Sequence, residues 1–144
     1  MLRKTLIISQ MLLTALAAEA HIEPPRSVAE RETLLSSRKK YREAGVMKST
    51  AMQVGTDGNN RKLAEWIYDT QGRESNIVMF DAKDETKTYI TQTYDRQGNL
   101  VLDADRDEEG RILEMNVLEY NDLTLIKRIV SYDSSLRISG ILEY

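Results

Sequence analysis

The residues best suited to chemistry form one acidic run in the second half of the chain. Asp103, Asp105 and Asp107 alternate along the sequence, and Glu114 occupies the twelfth position counted from Asp103. Alternating carboxylates closed by a glutamate at position twelve are the ligand pattern of a calcium loop. The sixth position is Glu108, although the tight turn of such a loop needs glycine there. The run therefore predicts either a calcium site or an acidic strand followed by an ordinary turn.

Aromatic side chains form a second candidate site. An aligned strip of aromatic rings on an open sheet face can stack against sugar rings or contact a partner protein. The alternative interpretation is cross-strand packing, which aromatic residues in sheets commonly provide. The predicted ligand-binding residues are Trp66, Tyr68, Tyr94, Tyr120 and Tyr132.

The remaining composition excludes several kinds of chemistry. The absence of cysteine excludes disulfides, a thiol nucleophile and a zinc–thiolate site. The single histidine, His21, stands in a leader segment, so no histidine-based triad is predicted, and we predict no catalytic residue. The formal net charge of -3 argues against a nucleic-acid partner. A small hydrolase using paired carboxylates stays open as an alternative, because spacing alone cannot select or dismiss a pair.

The first twenty residues are typical of a secretory signal peptide. Arg3 and Lys4 precede an apolar segment at positions 6–17, and Ala18-Glu19-Ala20 matches the small-residue pattern of a cleavage site. We therefore predict a signal peptide at 1–20 and a secreted or periplasmic protein. The lack of cysteine favours a bacterial source. No long apolar run follows, so no membrane span is predicted after cleavage.

Residues 21–46 are predicted to form an extended leader and one helix. Pro24 and Pro25 disfavour helix before them. The sequence from Ser27 to Glu30 has the pattern of a capping box, and Gly45 is a typical helix end. The helix carries a narrow apolar stripe, which we expect to cover one face of the following sheet.

Residues 47–144 are predicted to be a β-repeat domain. Three hexamers share an aspartate in second place and a glycine in fifth, namely Tyr68–Arg73, Tyr94–Asn99 and Arg106–Arg111. Aspartate accepts backbone hydrogen bonds in turns, and glycine supplies the positive φ that closes a hairpin. Short strands rich in β-branched and aromatic residues lie between these turns. The predicted fold class is mainly β (α+β), with an N-terminal helix followed by an antiparallel β-meander of about 6–8 strands.

The two tyrosine-containing hexamers resemble the Tyr-Asp repeat of Rhs-type proteins. The resemblance covers residues 64–144 at most and implies a β-hairpin unit in a secreted or surface protein. Carbohydrate binding has been proposed for some members of that family. This chain departs from the pattern because it is short and its later copies lose the glycine.

These patterns together favour an exported, non-enzymatic binding module. The expected partner is a protein or a glycan at the cell surface or in the periplasm. The alternatives are a calcium-binding secreted domain and, third, the carboxylate-based hydrolase. A free edge strand would also allow two copies to pair as a homodimer.

Overall fold

The computed structural model describes residues 24–54, 60–80 and 87–144, together with the backbone of residues 5–8. No helix in the described part of the chain is long and apolar enough to cross a membrane. The elements, in chain order, are β1 (Thr5–Ile8), α1 (Val28–Glu43), β2 (Lys48–Val54), β3 (Asn60–Tyr68), β4 (Glu74–Phe80), β5 (Lys87–Tyr94), β6 (Leu100–Arg106), β7 (Ile112–Tyr120), β8 (Ile126–Tyr132) and β9 (Ile138–Glu143).

The strands form a single sheet whose spatial order is the chain order from β1 to β9. Every neighbouring pair from β2 to β9 is antiparallel, so the predicted helix followed by an antiparallel meander is confirmed. β1 instead pairs in parallel with β2, and Thr5 lies opposite Lys48. β1 falls within the predicted signal peptide, whose proposed cleavage site lies outside the described residues. Cleavage stays a prediction.

Five hairpin turns share one set of hydrogen bonds around their first residue. In the turn that begins at Asp95, Oδ1 accepts from the backbone N–H groups of Gln97 and Asn99, at 2.8 and 2.9 Å. The backbone N–H of Asp95 donates to the Asn99 carbonyl, and the Gly98 N–H donates back to the Asp95 carbonyl. The same contacts occur in the turns at 69–73, 107–111, 121–125 and 133–137.

The fourth residue of each turn has a positive φ, whether or not it is glycine. Gly98 lies at +85°, whereas Thr124 and Leu136 both adopt +59° in the last two turns. The strand pairing shifts by one residue beside each turn, at Tyr68, Tyr94, Arg106, Tyr120 and Tyr132. Such bulges are typical of hairpins closed by a residue with positive φ. The loss of glycine from the later copies therefore does not change the turn geometry.

Local capping interactions define both ends of the helix. The Ser27 hydroxyl accepts from the Glu30 N–H at 3.2 Å, and the Glu30 carboxylate accepts from the Arg26 N–H at 2.7 Å. The first bond satisfies a backbone donor that the first turn of a helix leaves free, and the second binds the residue just before the cap. At the other end, Ala44 caps the helix and Gly45 has a φ of +63°.

The helix crosses one end of the sheet, over the turns at 69–73, 95–99 and 121–125. Before α1, the Pro25 carbonyl accepts from the Ile126 N–H of β8, and after α1 the Met47 carbonyl accepts from the Tyr68 N–H of β3. Sixteen helical residues rise about 24 Å, which matches about five strand spacings. We expected an apolar stripe to cover the sheet face, but the buried side chain of α1 is Arg38, while Val28 and Leu35 stay exposed.

Candidate functional site

Three of the predicted aromatic residues lie together beneath α1 and have structural partners. Tyr68 is buried, stacks against Tyr41 at 4.8 Å and shares a 3.0 Å hydrogen bond with Ser49. The hydroxyls of Tyr94 and Tyr120 each donate at 2.8 Å to the backbone carbonyl of the residue twenty positions earlier. Desolvation by burial raises the pKa of all three phenols. These side chains tie the strand ends to one another and to the helix.

The other two predicted aromatic residues lie elsewhere in the sheet. Trp66 packs against the core pair Ile77 and Ile90. Tyr132 ends β8 at the end of the sheet opposite α1. The five aromatic side chains are therefore not assembled into one continuous strip.

The structure does not gather the four predicted calcium ligands into one site. Asp103 and Asp105 lie on β6, opposite Asn116 and Glu114 of β7, and Asp107 opens the next turn. An extended strand separates alternate residues, whereas a calcium loop wraps its ligands around a point. Within the described ranges, no three acidic, histidine or cysteine residues are placed to hold a metal. Calcium binding stays a prediction without a ready-made ligand cage.

A groove of about 420 Å³ separates α1 from the turns at 69–73 and 95–99, and it is strongly basic. Five of its nine lining residues are arginine or lysine, and none is acidic. We call it the basic groove, lined by Leu35, Arg38, Lys39, Arg42, Gln71, Arg73, Arg96, Gln97 and Gly98. Two elements distant in sequence create it, because the helix lies across turns that follow it by tens of residues.

Arg38 forms the floor of the groove and anchors the helix to a turn. Only 8% of its surface is exposed, and its Nη1 donates to the Gly98 carbonyl at 2.7 Å. Its guanidinium lies 5.0 Å from the centre of the Tyr94 ring, and that of Arg73 lies 4.8 Å from the same ring. Cation–π attraction of this kind helps to hold positive charge in a poorly hydrated position.

The outer wall of the groove carries two guanidinium groups that are available for binding. Arg73 is engaged by Asp69 at 2.7 Å, and Lys39 is 3.8 Å from Glu43. Arg42 and Arg96 are exposed, and their side chains make no hydrogen bond or ion pair with any residue that the structure describes. Both therefore present their donors to solvent at the mouth of the groove.

A half-buried carboxyl group, that of Glu74, lies close to the floor of the groove. Burial raises the pKa of Glu74 to about 7, against the opposing effect of the Arg38 charge. The residues that line the groove offer hydrogen-bond donors and positive charge, with neither a nucleophile nor a carboxylate among them. This arrangement can bind an anionic group and hold it in a defined orientation.

Sequence reasoning missed the basic groove because the charge of the whole chain is negative. A partial signal was present, since Arg38, Lys39 and Arg42 recur at helical spacing and Arg73 and Arg96 lie in equivalent hairpin turns. That pattern indicates a shared site only once α1 is known to cross those turns.

No protein-family model matches this chain, and no curated protein matches its sequence. The resemblance to Tyr-Asp repeat proteins therefore stays a prediction that rests on the hexamers themselves.

Proposed function

We propose that this protein is a non-enzymatic binding module whose basic groove binds a short acidic segment of a partner protein. The observation that carries the proposal is the convergence of five lysine and arginine side chains on a 420 Å³ groove that no acidic residue lines. Pockets of this size can enclose a few side chains of a bound ligand.

The chemistry of the lining favours carboxylates carried on a peptide. Arginine presents a planar array of N–H donors that matches a carboxylate. The guanidinium groups of Arg42 and Arg96 are exposed in the groove and can donate to a ligand. Gln71 and Gln97 add amide groups that can hydrogen-bond to a peptide backbone. No aromatic side chain lines the groove, so a sugar ring would find no stacking platform there. The lining therefore supports a protein partner over a glycan.

The charge of the whole molecule favours a short ligand over a long polyanion. The chain has a net charge of -3, so the basic groove is a local site on an acidic protein. The hairpin turn at 107–111, at the opposite end of the sheet, exposes Glu108 and Glu109. A long anionic polymer would meet such acidic surface as it left the groove, whereas a short segment would not.

We place this activity outside the cytoplasm. The proposal follows from the predicted signal peptide at 1–20, so the partner would be a surface or periplasmic protein. A measurement of export tests this part of the proposal separately from the groove.

The binding proposal can be tested with a fluorescently labelled hexaglutamate peptide and fluorescence anisotropy. We expect saturable binding that weakens with added salt, and no binding of hexaglutamine. Arg42→Glu and Arg96→Glu should each weaken binding about tenfold, because each replaces an attraction by a repulsion.

Arg61→Glu is the matched control for these charge reversals. Arg61 is also an exposed arginine, but it lies near the start of β3, at the far end of the sheet from the groove. It should leave binding unchanged. Equal loss in all three variants would show a general charge effect and would contradict the proposal. Tighter binding of an oligouronate than of hexaglutamate would favour a glycan instead.

A further inference from the structure

A second cleft, of about 320 Å³, lies on one face of the sheet over the strands β6 to β9. One wall is the segment that leads into α1, since Arg26 lines the cleft and the Pro25 carbonyl accepts from the Ile126 N–H of β8. The described residues that line it all differ from those of the basic groove. We call it the face cleft and define it by Arg26, Asp103, Glu114, Leu118, Ile129 and Leu142.

The middle of the face cleft is apolar. Leu118 of β7 lies opposite Ile129 of β8, which in turn lies opposite Leu142 of β9. Residues that are in register on neighbouring strands share a face of the sheet, so these three form an apolar row across the floor. Leu118 is buried, Ile129 is half-buried and Leu142 is exposed. An apolar group of a ligand can therefore leave water by packing on this row.

Carboxylates lie beyond the apolar row, on the side away from α1. Asp103 of β6 lies opposite Asn116 of β7, which lies opposite Ser131 of β8. Glu114 precedes Asn116 by two residues and therefore points to the same face. The Ser131 Oγ donates to Asn116 Oδ1 at 2.6 Å, and Asn116 Nδ2 donates to Glu114 Oε1 at 3.5 Å. This end of the cleft has the charge and the acceptors that suit a cationic group.

A cation lies at the other end of the cleft, next to α1. The Arg26 guanidinium is 5.0 Å from the centre of the Tyr144 ring, and the Tyr144 N–H donates to the Lys127 carbonyl. Lys127 precedes Ser131 by four residues, so the two charged ends of the cleft are about 13 Å apart along β8. Ile129 and the rest of the apolar row lie midway between them.

We propose that the face cleft binds a short apolar peptide with both ends free. Its ammonium group would contact Asp103 and Glu114, its terminal carboxylate would contact Arg26, and its side chains would pack on the apolar row. An extended chain spans at most about 3.3–3.6 Å per residue, so a tripeptide covers about 10 Å. The charged side chains of the cleft bridge the remaining distance at each end. A simple amine or a simple acid would match only one end of the cleft.

Isothermal titration calorimetry of the full chain with trileucine tests the proposal. We expect one peptide to bind per chain, and triglycine to bind at least about tenfold more weakly because it has no apolar side chains. N-acetyl-trileucine and trileucine amide each lose one terminal charge, and each should bind about tenfold more weakly than trileucine. A chain that binds no trileucine, or that binds all four peptides equally, would overturn the proposal.

Variants of the charged residues assign each end of the peptide. Glu114→Gln should weaken trileucine binding about fivefold to tenfold but leave N-acetyl-trileucine unaffected, because that peptide has no ammonium group. Arg26→Gln should weaken trileucine binding by a similar factor but leave trileucine amide unaffected. Glu119→Gln is the matched control, because Glu119 also lies on β7 but points to the opposite face, 3.7 Å from Arg128. Equal losses in all three variants, or the reverse pattern, would refute the proposed orientation.

The face cleft and the basic groove can be tested separately. Arg42→Glu, which should weaken hexaglutamate binding in the groove, should leave trileucine binding unchanged. Hexaglutamate should not displace trileucine, because the two ligands occupy different sites. Displacement would place both peptides in one site and would contradict binding in the face cleft.

Discussion

Each turn depends on a single carboxylate or amide oxygen at its first residue. The side-chain amide and backbone N–H of Asn99 and the backbone N–H of Gln97 lower the pKa of Asp95, outweighing the opposite effect of burial. Its stabilising contribution is therefore present above the unfolded pKa and is lost as pH falls through the folded pKa. Asn121 makes the same two backbone contacts without a charge.

We therefore expect the two substitutions of Asp95 to differ in urea denaturation. Asp95→Ala removes the acceptor and should lower the free energy of unfolding by about 1–2 kcal/mol at neutral pH. Asp95→Asn should cost less and should weaken the loss of stability below about pH 4. Equal costs at neutral pH would contradict a role for the Oδ1 hydrogen bonds.

Alanine substitutions at Gly72 and Gly110 distinguish the stability cost of backbone strain from the cost of steric contact. Both have a positive φ, of +75° and +81°. A Cβ at Gly72 would approach the Arg38 carbonyl of α1 closer than any real contact, whereas a Cβ at Gly110 would meet open space. Gly110→Ala should cost about 1–2 kcal/mol from strain alone. Gly72→Ala should cost about 1–3 kcal/mol more, because the helix must move. Chemical denaturation of both variants measures the difference.

Glu74 gives the stability of the protein a distinctive pH dependence. Its pKa rises on folding from an ordinary 4.5 to about 7, mainly because partial burial desolvates its carboxyl group. The folded protein binds more protons between these values, so stability should fall as pH rises through this window, by about 1–3 kcal/mol. Glu74→Gln should flatten that slope. Thermal denaturation at pH 5 and pH 8 measures it, and an unchanged slope in the variant would rule out Glu74 as the cause.

At the scale of elements, Arg38 holds the helix on the sheet. Arg38→Ala removes the bond to the Gly98 carbonyl and the contact with Tyr94, and should lower the free energy of unfolding by about 2–3 kcal/mol. Arg42→Ala, one turn along the same helix, should stay within about 0.5 kcal/mol of the wild type. Urea denaturation of both variants provides the measurement, and similar costs would contradict the anchoring role.

The elements themselves could be predicted, because local chemistry determines them. Ser27 and Gly45 bracket the helix, and the Asp-containing hexamers mark hairpins whose partners lie within a few residues. The position of α1 could not be predicted in this way. Arg38 meets Gly98 across sixty residues of sequence, and no periodicity within the helix reveals that contact. The same long-range placement creates the basic groove, which is why the candidate site was missed while the strands were found.

At the scale of the whole molecule, export is the prediction with the largest consequence. Expressed as a full-length chain in a bacterial host, the protein should appear in the periplasm or medium with His21 as its first residue. Replacing both Ala18 and Ala20 by lysine should block cleavage, since signal peptidase needs small side chains there. Mass spectrometry of the N-terminus reads the result directly. Mature protein that begins at Met1 would disprove the signal peptide. Cleavage would also remove β1 and leave β2 at the margin of the sheet.

The sequential order of the strands determines how such a chain can change in length. The turns beneath α1 begin at Asp69, Asp95 and Asn121, at a constant interval of 26 residues. Duplicating one such interval would widen the sheet by two strands, about 10 Å, and would leave every existing strand pair intact. Adding half an interval would instead reverse the direction of every later strand and move its turns to the opposite end of the sheet. Growth by gene duplication would therefore be tolerated in whole steps of two strands, until the sheet became wider than the sixteen-residue helix that crosses it.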